Sequence, residues 1–148
     1  MESSIKVKKW AWLLKQVRAF LDERGLTEVS TSNLVQVGAF EASLDVLKVG
    51  NFGELHTSPE IEMKRLLAET PVSIYQICKC YRDDPTNTGI HLKEFTMLEY
   101  YRVGADCRDL LRAFRDLMLA PSECDGTQQT NEYERAREHH ITLRGVFQ

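Results

Sequence analysis

Two side chains of complementary chemistry stand two residues apart in the segment EFTMLEYYR (94–102). The aromatic residues of this segment predict a β-strand. Because alternate residues of a strand share a face, Glu99 and Tyr101 are expected to point the same way. A carboxylate supplies charge and a phenol supplies direction, so the pair is suited to recognising a cationic amine.

Arg82 is a second candidate, at the end of another predicted strand, VSIYQICKCYR (72–82). A guanidinium can hold a phosphate through two parallel hydrogen bonds, a geometry that lysine cannot reproduce. Glu60, at the start of a predicted helix, could reach the same pocket from the side. Structural interpretations remain open, since an Arg–Glu pair across a hairpin is often a half-exposed salt bridge and strand aromatics usually pack.

The cysteines do not form a recognisable metal-binding pattern. Cys78 and Cys80 share a strand face, but no second pair completes a zinc site, and no metal site is predicted from the spacing. We expect buried free thiols in a reducing compartment. The four cysteines to which this applies are Cys78, Cys80, Cys107 and Cys124. The adjacent His139 and His140 would point apart on a helix and are expected to be surface residues.

The first half of the chain is predicted to begin with an amphipathic helix over residues 5–24. Gly25 stands where a C-terminal cap belongs. A short strand over residues 26–31 follows, and then the segments 44–49 and 52–56 favour a hairpin.

The second half is organised around a longer hairpin. A helix is predicted to begin with Ser58 as N-cap and Pro59 at the first helical position. The two strands introduced above enclose a stretch full of turn formers, which favours an antiparallel pair with a long loop. Asp106 is expected to cap a last helix that runs to about Met118.

Composition limits the classes of function. With 148 residues, 43% hydrophobic and 28% charged, the chain is typical of one globular domain. A net charge of −3 argues against a chain-wide electrostatic grip on nucleic acid. No apolar run approaches the ~20 residues that cross a bilayer, and no secretory signal is recognisable, so no membrane partner and a cytoplasmic location are predicted. The fold class predicted is α+β, an antiparallel sheet with flanking helices.

Three strings of residues carry a family resemblance: LHTSPEIEMKRLLA (55–68), IYQICKCYRDD (74–84) and HLKEFTMLEYYR (91–102). In order, spacing and sequence they resemble class II aminoacyl-tRNA synthetases of the lysine, aspartate and asparagine group. The long hairpin corresponds to their motif 2, here about residues 74–102. The first helix and GLTEVSTSNL (25–34) are similar to motif 1, the dimer-forming element, here about residues 8–34.

This resemblance implies a partial class II catalytic domain over residues 1–120 that forms a homodimer, followed by a polar tail over 121–148 that is either a short helix or disordered. Within the group, the strings are most similar to the elongation factor P–lysine ligases. No room precedes motif 1 for the anticodon-binding barrel of lysyl-tRNA synthetases. Glu60 also favours lysine, because the aspartate and asparagine enzymes place glutamine there.

The reaction implied by the resemblance has two steps. The carboxylate of a lysine-like amino acid attacks the α-phosphate of ATP, and the acyl group then passes to an acceptor amine. A lysine of elongation factor P is the expected acceptor, and tRNA is the weaker candidate because no anticodon-binding domain is recognised. Magnesium ions would screen the phosphates.

Site residues are implied position by position. Arg82 would hold the α-phosphate and stabilise the charge that develops in the transition state. Asp84 would meet the adenine edge, His91 the phosphates, and Phe95 would stack on adenine. The residues implied to bind the amino groups of the substrate are Glu60, Glu99 and Tyr101.

The sequence departs from the family pattern at several positions. Ser32 replaces a motif 1 proline, Asp84 replaces a glutamate, and Ile90 replaces an arginine of lysyl-tRNA synthetases. Nothing after Met118 matches the glycine-rich motif 3 with its arginine. Three interpretations therefore stay open: a lysine-activating ligase, a catalytically inactive paralogue that acts as a dimerising or regulatory module, and a truncated gene product.

Overall fold

The structure is a computed structural model that describes residues 2–39, 41, 44–83 and 92–119. Predictions for Asp84, His91, Cys124, the two adjacent histidines and the polar tail lie outside these residues. Within them there are three helices and six strands. In chain order they are α1 Glu2–Asp22, β1 Thr27–Glu28, β2 Leu34–Val35, β3 Leu47–Val49, β4 Gly53–Leu55, α2 Glu60–Glu69, β5 Ile74–Tyr81, β6 Glu94–Tyr101 and α3 Cys107–Leu119.

The chain forms two compact units. The described parts of the first are α1 up to Phe20 and α3, and the second runs from Leu21 to Val103 with all six strands and α2. No helix in the described part of the chain is both long enough and apolar enough to cross a membrane.

The sheet that carries the predicted site residues has the strand order β1-β5-β6. β1 runs parallel to β5, and β5 pairs antiparallel with β6 over eight residue pairs, from Ile74 opposite Tyr101 to Tyr81 opposite Glu94. This confirms the predicted long hairpin. β6 lies at the edge of this sheet, and its side chains are mostly half-buried.

α1 ends in the cap that the sequence predicts. Gly25 has a φ of 74° and donates its N–H to Asp22 O at 2.9 Å, while Leu26 N donates to Leu21 O at 3.1 Å. These two bonds form a Schellman motif, which only a residue tolerant of the left-handed region closes without strain. Leu21 and Leu26 are both buried, so the cap also fixes the direction in which the chain enters β1.

Tyr75 ties the end of α1 to the sheet. Its ring is buried, and its hydroxyl donates to Asp22 Oδ1 at 2.9 Å with Glu28 Oε2 at 3.4 Å. Burial, together with the two carboxylates, raises the pKa of Tyr75, so the hydroxyl stays a donor at neutral pH. This face of β5 is therefore structural, and it is opposite the face that carries the candidate site.

The start of α2 differs by one residue from the sequence-based prediction. The helix begins at Glu60, and Pro59 is the N-cap with φ −78° and ψ 2°, so the prediction of Ser58 as N-cap was wrong. Ser58 still contributes, because its Oγ accepts a hydrogen bond from the N–H of Glu60 at 3.2 Å. For α3 the predicted cap is confirmed: Asp106 and Asp109 each accept a hydrogen bond from the other's backbone N–H, a reciprocal capping box.

The second sheet has the strand order β2-β4-β3 and contains the predicted shorter hairpin. Gly53 begins β4 with a φ of 145°, and a Cβ at this position would lie 2.4 Å from Val35 O. Gly50, in the turn, has a φ of 52°, but a Cβ there would meet nothing nearer than Phe52 Cδ2 at 3.9 Å. A side chain would therefore strain the backbone at both glycines, but it would also clash with a neighbouring atom only at Gly53.

Replacing Gly53 by alanine is expected to lower the free energy of unfolding by roughly 2 kcal/mol more than Gly50→Ala does. Both variants impose strain on the backbone, but only Gly53→Ala adds a clash with a carbonyl that forms part of the sheet. Urea denaturation followed by circular dichroism measures both. Equal losses of stability in the two variants would contradict the role assigned to Gly53.

Candidate active site

The candidate site lies on one face of the β5–β6 hairpin. In an antiparallel pair, directly opposite residues project to the same side, and Gln76 is opposite Glu99 while Cys80 is opposite Phe95. The even-numbered residues of β5 and the odd-numbered residues of β6 therefore share this side, which we name the candidate face. Its members are Ile74, Gln76, Cys78, Cys80, Phe95, Met97, Glu99 and Tyr101.

Glu99 and Tyr101 lie on one face, as strand alternation predicts, and are in direct contact. The Tyr101 hydroxyl donates to Glu99 Oε1 at 2.5 Å. Burial raises the pKa of Glu99, the hydrogen bond from Tyr101 opposes that rise, and the negative charge of Glu60 adds to it. Burial also raises the pKa of Tyr101, so the phenol remains a donor. A half-buried carboxylate held by one neutral donor is an electrostatically favourable place for a cation.

Glu60 approaches this pair from the first turn of α2. Its carboxylate accepts from Lys64 Nζ at 2.5 Å, and its side chain is 47% exposed. It lies close enough for its charge to raise the pKa of both Glu99 and Tyr101. The structure thus brings together the three residues that the resemblance implies for the substrate's amino groups.

Arg82 stands directly after β5, at the other end of the candidate face from Tyr101. Its guanidinium carbon lies 5.2 Å from the centroid of the Phe95 ring, and its Nε donates to Thr57 O at 3.4 Å. Among the described residues its contacts are thus a ring and a carbonyl, not a carboxylate. The cross-hairpin salt bridge that was the alternative interpretation is not formed within this part of the chain.

Phe95 has a position that bears on its implied role. The resemblance implies stacking on adenine, and in the structure one side of the ring carries the Arg82 guanidinium. A cation held over an aromatic face is stabilised by the ring quadrupole. Phe95 therefore orients Arg82, and its contact with adenine stays a prediction.

The segment between β4 and α2 anchors this end of the site. Thr57 is buried and donates both its N–H and its Oγ1 to Gly38 O at 3.0 Å, and Tyr81 N donates to His56 O at 3.1 Å. A Cβ at Gly38 would lie 2.8 Å from Leu55 O, so only glycine allows this approach. These contacts fix the carbonyl that Arg82 binds, and sequence reasoning did not single out any of the residues that make them.

His56 is a further residue that the sequence-based predictions missed. It is 2% exposed, and its Nε2 lies 2.8 Å from Lys79 O. One ring nitrogen and the sulfurs of Cys78 and Cys80 all lie within 4.8 Å of one another. His56 could have been noticed because it lies in the string LHTSPE, which carries part of the family resemblance. Its spacing from Cys78 and Cys80 along the chain gives no indication that the three residues meet.

The described cysteines differ in exposure. All three are free thiols, with Cys80 buried, Cys78 half-buried and Cys107 exposed, so the prediction of a buried thiol was wrong for Cys107. The two sulfurs on the candidate face are 3.8 Å apart. The hydrogen bond between the two sulfurs, followed by the nearby His56 imidazole, lowers the pKa of Cys78 to about 5, and the hydrogen bond between the sulfurs also raises the pKa of Cys80. The nearby Cys78 sulfur outweighs burial and raises the pKa of His56.

Comparison with known proteins places this geometry in a family. The family model of class II tRNA synthetases (D, K and N) matches residues 1–141. Among curated proteins, the elongation factor P–(R)-β-lysine ligase of Vibrio atlanticus is 38% identical, over 88% of this chain and 43% of that protein. The ligase of Mannheimia succiniciproducens is 36% identical over 78% of this chain and 38% of its own length, and the Aquifex aeolicus homolog is 37% identical over 74% and 39%.

The chain therefore spans less than half the length of these curated relatives. Among solved structures, asparaginyl-tRNA synthetase from Pyrococcus horikoshii, complexed with asparaginyl-adenylate, superposes with a TM-score of 0.67. The likeness covers 78% of this chain and 27% of that one at 21% sequence identity, and it shows the fold. Motif strings, strand topology and family model agree, and the chain belongs to the class II tRNA synthetases of the aspartate, lysine and asparagine group.

Proposed function

We propose that this chain carries the amine-binding and α-phosphate-binding parts of an ATP-dependent, lysine-activating site. The protein would then join lysine or β-lysine to an acceptor amine, with a lysine side chain of elongation factor P as the acceptor. The names of the relatives, elongation factor P–(R)-β-lysine ligases, support this choice of substrates. The observation that carries the proposal is the position of Arg82 and the Glu60–Glu99–Tyr101 group at opposite ends of one sheet face.

The chemistry at the carboxylate end favours a substrate with more than one ammonium group. Glu99 and Glu60 are two carboxylates close enough to interact, and Tyr101 is a neutral donor. Their mutual repulsion is relieved when a cation binds between them, whereas an anionic or neutral side chain would leave it in place. Lysine and β-lysine each carry two ammonium groups, which matches two carboxylates.

At the opposite end, Arg82 is suited to the phosphate. Phe95 and the Thr57 carbonyl hold its guanidinium before any substrate arrives, so little reorganisation is needed when negative charge develops. Phe95 and Glu99 are four positions apart on β6, or about 13 Å along the strand. That interval is about the size of an amino acid joined to a phosphate.

ATP supplies the α-phosphorus that the amino-acid carboxylate attacks, with pyrophosphate as the leaving group. The described residues fit this requirement through Arg82. They fit magnesium less directly, since the one cluster of three potential metal ligands found among them is rich in sulfur, whereas Mg²⁺ prefers oxygen. Magnesium would therefore be held through the phosphates of ATP, and no step is assigned to it here.

Two further proposals from the sequence are a homodimer and a cytoplasmic location. Motif 1 corresponds to α1 and β1, and Ile5, Val7 and Trp10 on α1 are each about half exposed or more, which fits a helix that pairs with a second copy in a homodimer. Free thiols at 3.8 Å on the candidate face are consistent with a reducing, cytoplasmic compartment.

Lysine-dependent exchange of pyrophosphate into ATP is the test of the proposed activity. We expect exchange with lysine or (R)-β-lysine and none with aspartate or asparagine, because the carboxylate end repels an acidic side chain and gives no charge complement to an amide. Thermal stabilisation by a non-hydrolysable lysyl-adenylate analogue provides a second readout that does not require turnover. Stabilisation or exchange with the aspartyl or asparaginyl compounds alone would refute the assignment.

A further inference from the structure

The cluster of His56, Cys78 and Cys80 is not used by the proposed reaction. It lies on the candidate face between the two ends of the site, with Cys78 opposite Met97 and Cys80 opposite Phe95. His56 comes from the separate segment that precedes α2. Two strand residues and one loop residue therefore converge through tertiary structure, and their ligating atoms lie within 4.8 Å of one another.

The distance between the two sulfurs matches the geometry of a metal thiolate. In a tetrahedral zinc site with Zn–S bonds of about 2.3 Å, two sulfurs are separated by about 3.8 Å. The Cys78 and Cys80 sulfurs are 3.8 Å apart. A sulfur and a histidine nitrogen in such a site are about 3.5 Å apart. The observed limit of 4.8 Å for the whole group requires only a small shift of the imidazole.

His56 has the hydrogen-bond arrangement of a metal ligand. Its Nε2 lies 2.8 Å from Lys79 O, and because a carbonyl only accepts, Nε2 carries the proton. Nδ1 is then left with a lone pair, and within the described part of the chain it is buried without a hydrogen-bond partner. Metal-binding histidines commonly donate their second nitrogen to a backbone carbonyl, which fixes the tautomer and the ring orientation.

Access and charge are also suitable. Cys78 lines a cavity of about 440 Å³ together with Asn33 and Gln76, so a cation can approach the cluster from the side of Cys78. Two thiolates and a divalent cation sum to zero charge, so the half-buried site carries no net charge once the cation is bound. Thiolates prefer soft or borderline cations over Mg²⁺ and Ca²⁺.

We propose that His56, Cys78 and Cys80 form a binding site for a thiophilic divalent cation of the Zn²⁺ type, with a fourth position open to water. The site supplies two sulfur ligands and one nitrogen ligand. Metal binding displaces any proton that the two sulfurs still hold, and it stabilises the second unit, since all three ligands belong to the folded state of that unit. The inference rests on the ligand geometry alone and holds whether or not lysine is the substrate.

Titration with Co²⁺ under anaerobic conditions at about pH 8 tests the site, because the cation competes with protons for thiolate and imidazole ligands. The reference protein carries Cys107→Ser, Cys124→Ser, His139→Gln and His140→Gln, so that its only cysteines are those of the cluster and His91 is the only histidine left outside the cluster. We expect one Co²⁺ per chain, a sulfur-to-metal charge-transfer band, the visible bands of tetrahedral cobalt, and loss of all three on addition of Zn²⁺.

Removal of a ligand from this reference protein gives the decisive comparison. Cys78→Ser, Cys80→Ser and His56→Gln are each expected to weaken Co²⁺ binding at least about 100-fold, because even outer partners of metal ligands contribute about 10- to 100-fold. Cys80 is fully buried, so if Cys80→Ser fails to fold by circular dichroism, the other two variants decide. Binding unchanged in Cys78→Ser, absent from the reference protein, or lacking the charge-transfer band would overturn the proposal.

Discussion

Replacing Arg82 by alanine is expected to lower lysine-dependent ATP–pyrophosphate exchange by about 1,000-fold, with a smaller effect on the KM for lysine. Loss of a single preorganised donor to a developing oxyanion typically costs about 100- to 1,000-fold, and Arg82 adds a full charge to such a donor. Arg82→Lys keeps the charge but not the planar pair of N–H groups, so we expect it to recover only part of the activity.

Two controls separate this effect from a loss of structure. Arg115, on α3, is a 71% exposed arginine of the first unit, whereas the candidate face belongs to the second, and Arg115→Ala should leave exchange unchanged. Thermal denaturation of Arg82→Ala reports whether loss of the Phe95 and Thr57 contacts unfolds the protein. An Arg82→Ala protein that is folded and retains more than about one tenth of the wild-type exchange rate would rule out α-phosphate stabilisation by this residue.

Replacing Glu99 by glutamine is expected to raise the KM for lysine at least about 100-fold while the KM for ATP changes little. Removing one partner of a half-buried charge pair costs about 2–5 kcal/mol, and glutamine conserves the shape of the side chain. Glu94 provides the matched control, because it lies on the same strand but on the opposite face, in an exposed salt bridge with Lys79. Glu94→Gln should therefore leave both KM values near wild type.

Glu99→Gln is expected to weaken lysine binding but to raise the stability of the folded protein at neutral pH. Burial raises the pKa of Glu99 in the folded protein, so the folded state holds this proton more tightly than the unfolded state does. As pH rises from the unfolded pKa through the raised folded pKa, ionisation of Glu99 therefore costs stability, and Glu99→Gln removes that cost. We expect Glu99→Gln to melt at or above the wild-type temperature at pH 7, and the difference to vanish in acid below the ordinary glutamate pKa.

This combination distinguishes a binding residue from a structural one. If Glu99→Gln loses lysine binding and gains thermal stability, the ionised Glu99 carboxylate destabilises the free wild-type protein. Binding of the cationic substrate then offsets that destabilisation. If Glu99→Gln instead melts well below wild type at pH 7, the carboxylate is a structural acceptor for Tyr101, and the amine-binding role fails.

Local patterns in the sequence predicted the elements of the fold because each depends on a few neighbouring residues. Gly25 ends α1 through its own backbone conformation, and Asp106 caps α3 through bonds within one turn. The alternation of side chains along β6 predicts that Glu99 and Tyr101 lie on one face, whichever strand pairs with β6. The Ser58 prediction missed by one residue, since a proline with ψ near 0° can itself occupy the N-cap position.

The rest of the site depends on contacts between distant segments, which spacing does not encode. Register decides that Cys80 faces Phe95, and the long loop between β5 and β6 does not determine that register. His56 joins the two cysteines only because Tyr81 pairs with its carbonyl, and Arg82 meets Thr57 for the same reason. Cys107 was predicted to be buried from its residue type, but it lies on the exposed side of the first turn of α3.

The position of β6 at the edge of its sheet has a consequence for selectivity. Within the described part of the chain, Glu99 and Tyr101 have a neighbouring strand on one side only, because β6 pairs with β5 alone. A segment that added to the free edge would bring its own row of side chains alongside Glu99 and Tyr101. Under the proposed function, that added row would decide whether an α-amino or a β-amino group fits best, while Glu60, Glu99 and Tyr101 would set the preference for positive charge.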